Sequence, residues 1–306
     1  NKPDKTYRPK GLMNWILDSC PGQKLVASQA RKGIMKQSKG HYPSPLKALD
    51  VIVGAYKLYD RDEAMSIERA GFCEVAVGAV SKNLIHVYEL MESIKKQEFQ
   101  AKPSDVHRMG ILGAGTMGGG IAYVAADKGI DVRMKDLQYS AIARGVKAAY
   151  DLFSKRLKKK SITSYQFNQK MGLISGGLDF SGFKQMDLVV EAIVEDMEVK
   201  KKVIAETARQ TRPNAILATN TSSLSVTEMA TAHPNPKYFV GMHFFNPVDK
   251  MPLVEVIRGA ETSEQTVATV FELSKKMGKI PVVVKDGPGF LVNRLLLPYL
   301  AEAAFL

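Results

Sequence analysis

The sequence predicts an α/β protein in which a mainly parallel sheet follows a wholly α-helical segment and precedes one helix of a further helical region. Three observations predict it. Residues 11–98 carry helical patterning and no alternating strand runs. From residue 107 onward, short apolar runs alternate with helical stretches, the order that builds a parallel sheet covered on both faces. At their junction GILGAGTMGGGIA, residues 110–122, packs six glycines into thirteen positions. The expected divisions are 1–104 (helical), 105–289 (sheet domain) and 290–306 (start of a truncated helical domain).

Taken in order, Ser44-Pro45 predicts an N-cap with proline in the first helical turn. Ser81 is expected to cap the run that ends near Lys96. FQAKPSDV, residues 99–106, is polar and carries Pro103, which predicts a linker. Beyond it VHRMGILG, DVRMKD, DLVVEAIV, AILATN, YFVGMHFF, LVEVI and IPVVVK read as strands. An alanine-rich helix follows the first of these and a long basic helix the second. The chain begins with Asn1 and stops inside the apolar run FLVNRLLLPYLAEAAFL without a cap, so a segment of a longer protein is expected.

Composition narrows the function classes. With 306 residues the chain can form two domains, each with its own core. Hydrophobic residues at 45% and charged residues at 24% argue against wholesale disorder. No apolar run reaches the roughly 18 residues of a spanning helix, so no transmembrane segment is expected. Two cysteines, Cys20 and Cys73, cannot build a multi-bridge scaffold or a four-cysteine zinc site, and they fit a reducing compartment. The net charge of +12 is uneven: residues 1–60 hold eleven Lys/Arg against four Asp, and Lys155–Lys160 form a second cluster. A solvated helix face, a phosphate-rich small ligand and a polynucleotide would each account for that cluster.

The glycines discriminate further. Gly113-x-Gly115-x-x-Gly118 follows a strand and opens a helix. The first permits a tight turn, the second lets a pyrophosphate approach the backbone, and the third lets helix and strand pack closely. Free N–H groups at the helix start face the phosphates. Asp136 ends the next strand eighteen residues after Gly118, where a carboxylate accepts from ribose hydroxyls. Strand, glycines, helix, strand and acid in that order predict a Rossmann-like dinucleotide site. The acid favours NAD over NADP, and Arg133 and Lys135 weaken that preference only slightly.

Polar residues at strand ends suggest where chemistry occurs. Thr219-Asn220-Thr221-Ser222-Ser223 ends one strand; His243, with Asn246 after it, ends another. Glu255 sits within the apolar run LVEVI, where a carboxylate needs a partner. A His–Glu pair suits general-base catalysis, the imidazole taking a hydroxyl proton as hydride leaves the same carbon. Spacing alone also allows a structural histidine that caps backbone groups. The five histidines lack zinc-helix spacing, and neither a GxSxG elbow nor a P-loop is present. Met109 and Met134 are expected in the core, with Met117 set apart by its place in the glycine turn.

GILGAGTMGGGIA, VVEAIVEDMEVKK, ATNTSSL, GMHFFNPVDKMPLVEVIRG and KDGPGFLVNRLLLPYL together resemble the L-3-hydroxyacyl-CoA dehydrogenase family over residues 107–306. The earlier helices, including GHYPSPLKALDVI, resemble the segment joining hydratase to dehydrogenase in bacterial fatty-acid oxidation α-subunits. The resemblance implies NAD-dependent oxidation of (S)-3-hydroxyacyl-CoA in β-oxidation. It matches His243 to the base, Glu255 to its carboxylate partner, Ser222 and Asn293 to substrate-orienting residues, and Asn246 to a position beside the nicotinamide. Met117, Asp136, Glu195 and Lys200 match NAD contacts, and the basic helix near Lys155–Lys160 lies where the family meets CoA.

The same resemblance implies a multifunctional parent with hydratase (lyase) activity, a thiolase subunit and a second copy of itself as partners. No nucleic acid is expected. The implied compartment is the cytoplasm for a bacterial protein, or the mitochondrial matrix for a eukaryotic one. The hydratase's two catalytic glutamates have no counterpart in this chain, so no hydratase activity is expected of it. With only the first helix of the family's helical region present, weak or absent dehydrogenase turnover is also an expectation. Two other readings stay open: an NAD-binding fragment or scaffold without turnover, and a 3-hydroxy-acid or sugar-acid dehydrogenase. The latter would normally use a lysine base, against which HFFNP argues.

Overall fold

The computed structural model describes residues 11–56, 58 and 60–306, and the chain forms two compact units, residues 1–92 and 93–306. The described part of the first unit is helical: α1 (Leu12–Asp18), α2 (Cys20–Ser38), α3 (Pro43–Ala55), α4 (Arg61–Ala76) and α5 (Ala79–Lys95), whose end belongs to the second unit. Two expected caps are displaced. Helix α3 starts at Pro43, with Tyr42 before it and no side-chain cap, because a proline already fits the first turn. Ser81 lies inside α5 rather than ahead of it.

The second unit runs β1 (Arg108–Leu112), α6 (Thr116–Asp127), β2 (Asp131–Lys135), α7 (Tyr139–Lys158), α8 (Ser164–Gly172), β3 (Ile174–Gly177) and β4 (Leu188–Glu191). It continues through α9 (Met197–Gln210), β5 (Ile216–Thr219), α10 (Val226–Ala230), β6 (Phe239–Phe244), β7 (Leu253–Arg258), α11 (Glu264–Lys276), β8 (Ile280–Lys285) and α12 (Val292–Phe305). The strands form one eight-stranded sheet in the order β3-β2-β1-β4-β5-β6-β7-β8. Every neighbouring pair is parallel except β6 with β7.

All seven expected strands are present, and β3 is added. Its sequence, ISGG, carries two glycines that read as a turn, yet a Cβ at Gly176 would lie 2.5 Å from Ile142 Cγ2 of α7. The glycine admits a helix side chain onto the strand. Residues 99–106 do not hang free. Phe99 packs edge-on against Phe271 of α11 at 5.0 Å, and Ser104 N donates to Thr269 Oγ1 at 3.0 Å.

Every residue of β4, β5 and β6 is buried, as both-face covering requires. Alternate strand residues feed two cores: Ile111, Val190, Ala218 and Val240 join Ile121 and Val270, while Leu112, Val189, Leu217 and Phe239 join Ile204 and Met229. Met109 and Met134 are fully buried, as expected. The consecutive glycines of α6 serve separate neighbours. A Cβ at Gly118 would lie 1.9 Å from Gly113 O, one at Gly119 3.0 Å from Gly145 O of α7, and one at Gly120 2.9 Å from Val248.

Candidate active site

Strand order reverses between β1 and β4, and parallel strands on either side bring their C-terminal ends to one edge. Such a switch point opens a crevice for ligands. Gly113 turns there with φ +92°, its N–H donating to Lys135 O at 2.8 Å. Gly115 caps α6 with no side-chain bond to the first-turn N–H groups, and a Cβ there would meet nothing within 4 Å. Asp136, just past β2, accepts from Ala114 N at 2.8 Å and Leu137 N at 2.6 Å, which sets its carboxylate against the glycine turn. An open helix start beside an acid fits a dinucleotide's pyrophosphate and ribose. Met117 is partly buried against the first core.

The twelve-residue interval between His243 and Glu255 is explained by strand register. β6 and β7 are antiparallel, and these two residues are direct partners across the ladder, so their side chains share one face. His243 Nδ1 lies 2.7 Å from Glu255 Oε2. An ionised carboxylate only accepts, so Nδ1 carries the proton and the neutral ring keeps its lone pair on Nε2. Glu255 Oε1 accepts from Leu291 N and Val292 N, each at 2.9 Å. One buried carboxylate therefore holds both the imidazole and the start of α12.

Helix α12 carries Asn293, whose Nδ2 donates to Ser222 O at 3.0 Å. Ser222 in turn gives its N–H at 2.8 Å and its hydroxyl at 3.2 Å to Glu195 Oε1, which also accepts from Thr221 Oγ1 at 2.6 Å. Thus Asn293 and Glu195 each bond to Ser222, while Asn246 is exposed in the loop after β6. Lys200 is 1% exposed and pairs with Glu191 Oε1 at 2.6 Å and Glu195 Oε2 at 3.2 Å. Its ammonium meets carboxylates, so it bears on a bound molecule through Glu195. Sequence reasoning missed Glu191 and singled out Thr221 only as one member of the polar run after β5. Glu191 carried the same signal as Glu255, a carboxylate closing an apolar run (DLVVE).

The carboxylates are tuned. Burial pushes Glu255 up, but the His243 bond and two backbone N–H groups outweigh it and hold the group below its ordinary 4.5. Glu195 is likewise lowered, Thr221, Ser222 and Lys200 outweighing burial. A depressed folded pKa contributes stability that is present above the unfolded value and lost as pH falls through the folded one. The thermal midpoint is therefore expected to fall as pH drops below about 4.5, and Glu255→Gln should flatten that acid slope. Parallel slopes in a pH series of melting curves would show that Glu255 carries none of it.

The basic cluster is divided. Arg156 pairs with Asp127 at 2.6 Å, and Lys170 joins them at 3.0 Å, whereas Lys155, Lys158, Lys159 and Lys160 are exposed. Among the described residues no group of His, Cys, Asp and Glu could hold a metal ion, and no helix is long and apolar enough to cross a membrane.

Residues 108–287 match the family model described as 3-hydroxyacyl-CoA dehydrogenase, NAD binding domain. The fatty acid oxidation complex subunit alpha of Acinetobacter baumannii (strain AYE) is 43% identical over 283 residues, covering 91% of this chain and 39% of that protein. Its counterpart in Pseudomonas syringae pv. tomato is 43% identical over 280 residues, covering 90% and 39%. The chain thus spans about two-fifths of the length of these relatives. Among solved structures, (S)-3-hydroxybutyryl-CoA dehydrogenase from Ralstonia eutropha superposes with TM-score 0.64 and 41% identity over 65% of this chain and 70% of its own. The Escherichia coli 3-hydroxybutyryl-CoA dehydrogenase gives 0.64 and 37% over 65% and 42%. The cofactor of this domain is NAD, and the chain belongs to the 3-hydroxyacyl-CoA dehydrogenase NAD-binding domain family.

Proposed function

We propose that this chain catalyses the NAD-dependent oxidation of (S)-3-hydroxyacyl-CoA to 3-oxoacyl-CoA, as the dehydrogenase part of a larger β-oxidation protein. The observation that carries the reading is the buried His243–Glu255 pair, 2.7 Å apart on a sheet whose C-terminal edge bears the glycine turn. His243 Nε2 accepts the 3-hydroxyl proton, and Glu255 stabilises the imidazolium that results. NAD, when bound, would supply the acceptor for the C3 hydride. Ser222 and Asn293 would orient the 3-oxygen and thioester, while Gly113, Gly115 and Gly118 would seat the pyrophosphate. Met117, Glu195 and Asn246 would line the cofactor, with Lys200 holding Glu195. The exposed Lys155, Lys158, Lys159 and Lys160 suit the CoA phosphates.

Residues 1–104 then serve as the connection to a hydratase, and a thiolase subunit and a second copy are the proposed partners. The name of the relatives, subunit alpha of a complex, supports a further subunit without saying which. The bacterial origin of the relatives supports a cytoplasmic setting as part of this reading. NADH absorbance followed with acetoacetyl-CoA tests the activity: saturable NADH consumption is expected. A chain that binds NADH but consumes none with acetoacetyl-CoA would overturn the reading in favour of binding without turnover.

Cofactor choice is a second expected outcome. Asp136 opposes a 2′-phosphate with like charge, so NADH should bind at least about tenfold more tightly than NADPH. Asp136→Ala should weaken NADH and narrow the gap. Fluorescence titration giving equal affinities for the unmutated chain would remove the ribose assignment.

A further inference from the structure

We propose that Glu191 is a positioning residue for the site: through Lys200 and Glu195 it fixes Ser222. The argument starts from its surroundings. Glu191 closes β4, is 3% exposed, and has both carboxylate oxygens engaged. Oε1 accepts from Ile193 N at 2.8 Å and Lys200 Nζ at 2.6 Å; Oε2 accepts from Thr219 Oγ1 at 2.7 Å. The group is thereby tied to the loop after β4, to α9 and to β5 at once. A buried carboxylate held by a loop backbone N–H, a helix ammonium and a neighbouring strand has no alternative rotamer that keeps these bonds.

Lys200 passes that fixation outward. Its ammonium is shared between Glu191 at 2.6 Å and Glu195 at 3.2 Å, the shorter bond going to the residue that cannot move. Glu195 is the exposed end of the relay, and its other oxygen holds Thr221 Oγ1, Ser222 N and Ser222 Oγ. Two carboxylates around one ammonium divide its charge. With Glu191 neutral, Lys200 keeps Glu195 as its one full counter-charge and draws it inward, away from Ser222. The distance from Glu191 to Ser222 is bridged wholly by charge-assisted bonds, so the effect travels along named atoms.

This proposal rests on the reading of Ser222 as a substrate-orienting group, and its test is chosen to fail separately. Hydrogen exchange of the 219–224 segment is measured on the substrate-free chain, with Glu191→Gln against the unmutated protein. Protection of the Ser222 amide should fall by about tenfold or more, the loss expected for one charged hydrogen bond. NADH affinity should weaken by a similar factor, and turnover of acetoacetyl-CoA should drop through kcat rather than KM. The exposed Glu198, which pairs only loosely with Lys201 at 3.9 Å, gives the comparison: Glu198→Gln should leave all three readouts unchanged. If Glu191→Gln does not fold, Thr219→Val removes the Oε2 bond, together with the 3.3 Å bond from Thr221 N and the 3.9 Å contact to Met229 Sδ, and should loosen Ser222 in the same direction. Unchanged Ser222 exchange in a folded variant overturns the proposal whatever the turnover does. Absence of turnover in the unmutated chain, by contrast, overturns only the assigned reaction.

Discussion

His243→Ala is expected to lower kcat with acetoacetyl-CoA and NADH by at least about a hundredfold, the lower end for a positioned acid–base group. NADH affinity should stay where it is. The asymmetry follows from geometry. His243 lies on β6, two strands beyond β4, whereas the glycine turn and Asp136 follow β1 and β2. Removing the imidazole leaves Glu255 Oε1 bonded to Leu291 N and Val292 N, so α12 stays anchored, while Oε2 loses its partner in a fully buried position. An unpaired buried oxygen costs about 1–3 kcal/mol, enough to lower the melting midpoint without unfolding the domain. A folded His243→Ala protein with near-normal kcat would falsify the base assignment. Glu255→Gln separates the partner's part. It keeps a group of the same shape against the ring, so turnover should fall less than for His243→Ala and the acid limb of the pH–rate profile should move.

How much of this was legible in the sequence depends on the range of the interaction. The glycine turn and Asp136 are read locally, because a strand, a turn and a helix start impose their residue types within thirty positions. Their placement in the structure follows the expectation closely. The His243–Glu255 pair was visible as two unusual residues and as a match to a family base and its partner, but spacing alone left a structural histidine open. What joins them is antiparallel register across a loop, and register depends on which strands neighbour one another. Strand β3 was hidden for the converse reason: its glycines look like a turn until the side chain of Ile142 is seen filling their place. Glu191 and Lys200 show a third limit. Glu191 closes an apolar run and Lys200 matches a family NAD contact, but only burial reveals that their charges are spent on one another. The helix starts at Pro43 and Ala79 fell a few residues from expectation because serine is a frequent cap but a poor marker without its bonding partner in view.

The glycine turn gives the second large effect, and here one methyl group has different consequences for stability three residues apart. Gly118→Ala places a Cβ 1.9 Å from Gly113 O and 3.3 Å from Ile111 Cγ2. Gly113 cannot retreat. Its N–H is bonded to Lys135 O, its φ of +92° suits glycine alone, and Ala192 O stands 2.5 Å from where its own Cβ would be. The clash therefore falls on backbone against backbone, and a cost of at least about 3 kcal/mol is expected. For a unit of this size that lowers the melting midpoint by roughly 6–12 °C, and NADH binding should be lost as the turn opens. Gly115→Ala adds the same methyl where nothing lies within 4 Å, at an ordinary φ of −73°. Its melting midpoint should match the unmutated chain, yet NADH affinity should fall by at least about tenfold, because the methyl occupies the approach of the pyrophosphate to the start of α6. Calorimetric melts with NADH titrations on both variants decide the matter. If Gly115→Ala binds NADH normally, the phosphates do not rest on this turn, and if Gly118→Ala melts normally, the close packing of α6 on Gly113 is not what holds it.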